Sequence, residues 1–203
     1  MRLLAIETSG EACSVALFDG ERLVEARHET IGRGHAERLV PMIAELPDHG
    51  RADEILVSLG PGSFTGVRIG LAAARALGLA WQAKVRGYPT LALVAAIARG
   101  GGADDLGVCM NGGHGEWFVQ QFGADGLPVS ELLSLPPEQA VGVTRLPTIA
   151  GNRAVDFAAA SRESVEPIDI VADARFVPMI PAELLTAKLS PIYGRAPDAK
   201  RPS

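Results

Sequence analysis

Aromatic residues, cysteine, positive charge and long apolar runs are all scarce in this 203-residue chain, and each scarcity removes a class of function. Aromatics make up 5%, too few to expect a surface that stacks nucleobases. Lys and Arg number 19 against 24 Asp and Glu, a formal net charge of −5. Phosphate neutralisation supplies most of the affinity for nucleic acid, so strong nucleic-acid binding by the chain alone is not supported. The basic cluster sits in the tail, at Arg195, Lys200 and Arg201. The two cysteines, Cys13 and Cys109, lie far apart inside apolar segments and read as buried small hydrophobes in a reducing compartment. The longest apolar stretch, residues 67–85, contains Arg68, Arg75 and Lys84, which rules it out as a membrane span. The apolar start is cut short by Glu7, so no signal peptide is expected and the cytoplasm is the expected location.

What is abundant is Ala, Leu, Val and Gly. Hydrophobic residues make up 47% and charged residues 21%, enough apolar material for sheets covered by Ala-rich helices. Residues 3–6, 13–18 and 23–30 read as strands, the last two joined at Asp19-Gly20 by a hairpin whose central positions need positive φ. A helix is expected over residues 35–46, with Leu39, Met42, Ile43 and Leu46 at helical spacing. A continuous apolar strand, 55–59, follows, then a long helix over 65–84 and a shorter one, capped by Thr90, to Arg99. Gly100-Gly101-Gly102 marks the expected boundary between a first half, 1–100, and a smaller second half, 101–203. After it come strands at 106–110, 116–122 and 127–135, a short helix at 138–141, a strand at 148–150 and a helix at 153–161. Beyond 165, Pro167, Pro178, Pro181 and Pro191 interrupt any long helix. Each half thus reads strand–strand–strand–helix–strand–helix. That order matches the duplicated α/β fold shared by actin, Hsp70 and sugar kinases.

The segment Gly60-Pro61-Gly62-Ser63-Phe64-Thr65-Gly66-Val67-Arg68-Ile69-Gly70 carries the most information. A Gly-rich turn between a buried strand and a helix start can present backbone N–H groups to a phosphate or carboxylate. The lysine of a P-loop is missing, so that nucleotide class is excluded. The alternative is a plain strand–helix turn with Ser63 or Thr65 as the N-cap. Glu7-Thr8-Ser9 stands where actin-like folds place an acid and hydroxyls around phosphates. Glu7, Ser9, Gly62 and Ser63 are therefore the candidate, vestigial, cofactor contacts; no cofactor is expected. Of the four histidines, His28 falls at a strand edge, His49 in a loop and His114 in a Gly-rich turn. His35 opens a helix but has Leu39 at i+4, so no two-His metal face exists and no metal site is expected. No Gly-x-Ser-x-Gly elbow marks a nucleophile, and no catalytic residue is assigned.

In the long helix Gly66, Gly70, Ala74 and Gly78 recur every four residues. Glycine in a helix costs about 1 kcal/mol against alanine, so another backbone is expected to approach this stripe closely. An internal element is the commoner neighbour of such a stripe. Leu71, Leu77 and Trp81 supply larger apolar contacts beside it.

Several segments together resemble the bacterial TsaB (YeaZ) family: Leu4-Ala5-Ile6-Glu7-Thr8-Ser9, Ala12-Cys13-Ser14-Val15-Ala16-Leu17, the helix from His35 to Ile43, and residues 60–70 almost letter for letter. Pro191-Ile192-Tyr193-Gly194-Arg195, with Asp198 and Lys200, looks like the family's closing motif. The resemblance implies an actin-like fold and an accessory, non-catalytic subunit. Such a subunit supports threonylcarbamoyladenosine formation at a tRNA adenosine beside the anticodon. It implies a heterodimer with the catalytic paralogue TsaD, TsaE joining the assembly, tRNA met only through the complex, and a homodimer as the arrangement open to the isolated chain. The implied pairing surface lies on the first two helices, at Arg38, Leu39, Met42, Gly66, Gly70, Leu71, Ala74, Leu77 and Gly78. The small-residue stripe points to the same helix, so it is expected to face a partner chain. Where the family usually carries Asp-Ala-Arg, this chain reads Asn111-Gly112-Gly113. A degenerate actin-like kinase or nucleotide-binding protein is the competing reading. It would need acids at the strand ends of both halves, and Asn111 stands at the second.

Overall fold

The computed structural model describes residues 1–194, so Arg195, Asp198, Lys200 and Arg201 lie outside the described residues. The first half runs β1 (Arg2–Glu7), β2 (Ala12–Asp19), β3 (Arg22–Thr30), α1 (His35–Ala44), β4 (Glu54–Ser58), α2 (Phe64–Trp81), β5 (Lys84–Tyr88) and α3 (Thr90–Gly100). The second runs β6 (Leu106–Gly113), β7 (Glu116–Phe122), β8 (Leu133–Leu135), α4 (Pro137–Val143), β9 (Thr148–Ala150), α5 (Ala154–Ala160) and β10 (Glu166–Ile168). The sheets have the orders β3-β2-β1-β4-β5 and β8-β7-β6-β9-β10, one topology built twice. In each, the first three strands are antiparallel and the last two parallel.

Strand alternation sorts side chains into layers, because successive residues of a strand point to opposite faces. In β1, Leu4 and Ile6 join the core under α1 and α2, while Ala5 faces the core between the sheets. In β2, Val15 and Leu17 take the first side and Ala16 and Phe18 the second. Across the gap, Val108, Met110, Phe118 and Phe122 fill the same central core, and Cys109, Trp117 and Val119 turn outward under α4 and α5. The central layer is α3, buried on nearly every side, together with a return segment containing Ile170, Ala172, Ala174, Val177 and Ile180. Beyond β10 the helical segments among the described residues are short 3₁₀ turns, at Ala174–Met179 and Ala182–Leu184, as the prolines require.

Several expectations change. Each sheet has a fifth strand, β5 and β10, that the strand–helix count omits. The long helix stops at Trp81 rather than Lys84: Gln82 takes a left-handed φ of 55°, and the Ala83 N–H closes on the Gly78 carbonyl at 2.9 Å. The strand expected over 127–135 shrinks to β8, because Pro128 cannot donate to a ladder and leaves one isolated bridge to Phe122. The first hairpin is present, but its loop residues are Gly20 and Glu21. Asp19 still pairs with Arg22, and only Gly20 needs positive φ, at 59°.

The small-residue stripe is the largest correction. Gly66, Gly70, Ala74 and Gly78 are buried against the chain's own first sheet, not turned toward a partner. A Cβ on Gly66 would collide with the Thr8 carbonyl oxygen, one on Gly70 with the Thr8 hydroxyl, and one on Gly78 with the Val85 side chain. Helix α2 lies so close to the sheet that these positions tolerate no side chain. The backbone whose approach the glycines permit is internal.

Candidate functional site

The candidate cofactor residues meet where β1 ends, but they are committed to one another. The Gly-rich turn lies directly on the turn after β1: the Ser63 N–H donates to the Ser9 carbonyl at 2.6 Å, and a Cβ on Gly62 would overlap that same carbonyl. The Thr8 hydroxyl donates to the Gly66 carbonyl at 2.8 Å. The Ser63 hydroxyl is the N-cap of α2, accepting from the Gly66 N–H at 3.2 Å, which is the plain-turn arrangement. These contacts latch the start of α2 onto the first strand. They use N–H groups that an anion cradle would have to offer.

Glu7 lies behind this latch, fully buried. Its Oε1 accepts from the Ser9 N–H and the Ser9 hydroxyl, each at 2.6 Å. Ser9 Oγ is 2.8 Å from Thr90 Oγ1, which is 2.6 Å from Ser58 Oγ, and Ser58 Oγ accepts from the Gly60 N–H at 3.1 Å. The Thr90 N–H in turn donates to the Gly60 carbonyl at 2.9 Å. Tyr88 Oη lies 2.9 Å from the Ile6 carbonyl and 3.3 Å from Glu7 Oε2. Burial raises the Glu7 pKa, opposed by hydrogen bonds from Ser9, Tyr88 and Ser58. Tyr88 is pushed well above its ordinary value by burial and by the proximity of Glu7.

Sequence reasoning missed Ser58 and Tyr88 and misassigned Thr90. The N-cap of α3 is Pro89; Thr90 is the helix's first residue, and its hydroxyl serves the network instead. A polar residue closing an apolar strand, as Ser58 does, was the available signal.

A second buried carboxylate ties the return segment to the first sheet. Asp173 accepts from the Arg175 N–H at 2.9 Å, from its Nε at 2.9 Å and from the Ser14 hydroxyl at 3.3 Å. Burial raises the Asp173 pKa, but the Arg175 bonds outweigh it and the net shift is downward. The thiols of Cys13 and Cys109 are buried and pushed up to about 11 and about 12, chiefly by that burial, which removes their nucleophilic form at neutral pH. Among the described residues, no group of three or more His, Cys, Asp or Glu is placed to hold a metal ion. No described helix is long and apolar enough to cross a membrane. Asn111 does not stand in for the missing acid. Its N–H donates to Asn152 Oδ1 at 3.0 Å, and its own Oδ1 accepts from the Gly113 N–H at 3.3 Å.

The residues implied as a pairing surface divide by exposure. Leu39, Met42, Gly66, Gly70, Leu71, Ala74 and Gly78 are buried in the first half, and Leu77 is half-buried. Arg38 is partly exposed but occupied: its Nε donates to Glu29 at 2.8 Å and its Nη1 to Glu45 at 2.7 Å. The outward faces of the two helices mix apolar and charged side chains: Ala36, Glu37, Val40, Pro41 and Ala44 on α1, and Phe64, Thr65, Arg68, Ala72, Arg75, Ala76, Leu79 and Ala80 on α2. Leu79 is 84% exposed, Val40 57% and Phe64 55%.

Two sheets of one strand order enclosing a shared helical layer define a protein of actin-like fold. The family model of TsaD, tRNA N6-adenosine threonylcarbamoyltransferase, matches residues 27–169. The tRNA threonylcarbamoyladenosine biosynthesis protein TsaB of Escherichia coli is 37% identical over 131 residues, covering 62% of this chain and 56% of its own length. The match thus spans only about half the length of that curated relative. An uncharacterized protein of Mycobacterium tuberculosis is 31% identical over 98% of this chain and 93% of its own. The structure of YeaZ from Pseudomonas aeruginosa superposes with a TM-score of 0.80 at 28% identity, covering 95% of this chain and 99% of that one. The chain belongs to the TsaB (YeaZ) family.

Proposed function

We propose that this chain is an accessory subunit in the biosynthesis of threonylcarbamoyladenosine in tRNA, pairing with a TsaD-type transferase through the outward faces of α1 and α2. The observation that carries the pairing is the group of large apolar side chains left in solvent on these helices, with Leu79 84% exposed beside Arg75, and Phe64 and Val40 also in water. Large apolar side chains grouped in water and rimmed by charged ones mark an association surface. The names carried by relatives supply the pathway. The closed network around Glu7, which leaves no free carboxylate at the strand end, supports an accessory rather than a catalytic role. TsaE joins this pair in the same reading, and a homodimer through the same face competes with it. A net charge of −5 favours contact with tRNA through the assembly rather than by this chain alone.

The test is co-elution with the TsaD of the same cell, for the wild type and for Val40→Asp/Leu79→Arg. Both side chains are mostly in water, so the variant should melt within about 0.5 kcal/mol of the wild type. Its affinity for TsaD should fall at least about tenfold, the effect of losing roughly 1.4 kcal/mol at an interface centre. A folded variant that binds TsaD as the wild type does would remove α1 and α2 from the interface. Absence of binding by the wild type would remove the pairing altogether.

A further inference from the structure

Glu7 is fully buried, and no cation among the described residues neutralises it: the groups that face it are Ser9 from the turn after β1, Ser58 from β4, Tyr88 from β5 and Thr90 from α3, with the Cys13 thiol of β2 also within reach of its charge, while Asp173 bears on Tyr88 from the return segment. An isolated carboxylate in such a place is costly, and proteins avoid it by leaving the group protonated. Counting donors leads to the same result. With the Ser58 proton on Thr90, 2.6 Å away, rather than on Glu7, the hydroxyl chain runs in one direction: Gly60 N–H to Ser58, Ser58 to Thr90, Thr90 to Ser9, and Ser9 to Glu7 Oε1. That accounts for every proton on it. On the other side, Tyr88 owns one hydroxyl proton and has two acceptors, the Ile6 carbonyl at 2.9 Å and Glu7 Oε2 at 3.3 Å. Given to the nearer carbonyl, that proton leaves Oε2 and Oη facing each other with none between them. The missing proton belongs on Glu7.

We propose that Glu7 is held in the folded chain as a neutral carboxylic acid that donates from Oε2 to Tyr88, and that it thereby anchors the hydroxyl chain fixing the Gly60-Pro61-Gly62 turn. Glu7 is then a positioning residue: it closes the network at one end, Gly60 closes it at the other, and α2 starts from the turn so fixed. The proposal does not depend on the partner reading, since it concerns the isolated chain. Ionising Glu7 takes away the proton that Tyr88 accepts and puts an uncompensated charge behind the latch. The sign follows: a carboxyl whose pKa is raised on folding stabilises the fold fully below its ordinary value of 4.5, and that contribution is lost as pH rises through the raised value.

The experiment measures thermal melting of the wild type and Glu7→Gln from about pH 5 to about pH 9. Gln keeps the shape, offers an N–H to Tyr88 and cannot ionise. The melting temperature of the wild type should fall relative to Glu7→Gln across this range, by roughly 2–4 °C or more for a chain of this size. A constant difference between the two would overturn the proposal. Should Glu7→Gln fail to fold, the wild type alone decides the matter through the carboxyl ¹³C resonance of Glu7 at neutral pH. A neutral-acid shift supports the proposal, and a carboxylate shift sinks it.

Discussion

The turns that follow β1 and β6 stand at matching places in two sheets of the same strand order. The first, residues 8–11, begins with Thr8 and Ser9, both buried and bonded to α2 and α3. The second, around His114, is half-buried to exposed, with Gly113, His114 and Gly115 at φ of 74°, 51° and 80°. A Cβ on Gly113 or Gly115 would meet nothing within 4 Å. One turn is held by tertiary contacts to α2 and α3, the other by backbone conformations that glycine adopts freely. The surrounding halves differ likewise. The first sheet has strands of 5–9 residues and an 18-residue α2, whereas β8, β9 and β10 have 3 residues each and α4 and α5 have 7. Duplication supplied one topology. Packing against a long helix made one copy the specified half.

The largest break in this comparison comes from glycine. Gly66→Ala should cost about 2–4 kcal/mol by urea unfolding, because the collision with the Thr8 carbonyl outweighs the gain of about 1 kcal/mol in helix propensity. Gly10→Ala, with open space around it and no positive φ, should be neutral within about 0.5 kcal/mol. Equal costs at the two sites would mean that the contact between α2 and the turn after β1 is not tight.

A middle effect belongs to the network. Ser9→Ala removes a donor to Glu7 and a partner of Thr90, both buried, and should cost about 1–3 kcal/mol by the same measurement. Ser134→Ala, which removes one part-buried bond to Glu116 in the second half, should cost less than about 1 kcal/mol. If the order were reversed, the first half would not be the more tightly specified one.

The smallest effect should have the opposite sign. His114 is not glycine yet takes a left-handed φ of 51°. Replacing it by Gly should relieve that strain and leave the melting midpoint unchanged or raise stability by up to about 1 kcal/mol. A clear loss on His114→Gly would show that the imidazole makes a stabilising contact in this turn.

Much of the architecture was legible in residues alone. Alternation in β1 and β2, the helical spacing of Leu39, Met42 and Ile43, and the bounds of β7 and β9 all follow from local periodicity. Strand β5 was harder because Lys84 and Val85 continue an apolar helical run, and the break rests on one left-handed residue, Gln82. Ser58, Tyr88 and Thr90 were illegible as a site, since they become neighbours only when β1, β4 and β5 align in one sheet.

By itself the sequence determined the fold class, through two runs of the same element order, and it determined that something must approach the Gly66, Gly70, Ala74 and Gly78 face, because three glycines in one helix cost stability unless close packing repays it. Which backbone that is, it could not say: helical period places residues on one face but carries no information about what lies opposite. Only the tertiary structure decided that the stripe belongs to the first sheet, leaving Leu79, Val40 and Phe64 in solvent on the far side. The same holds for Glu7. Its position at the end of a strand is local, but its enclosure by hydroxyls, with no counter-ion among the described residues, arises from β4, β5 and α3 converging on it, and burial rather than residue type sets the state of its proton.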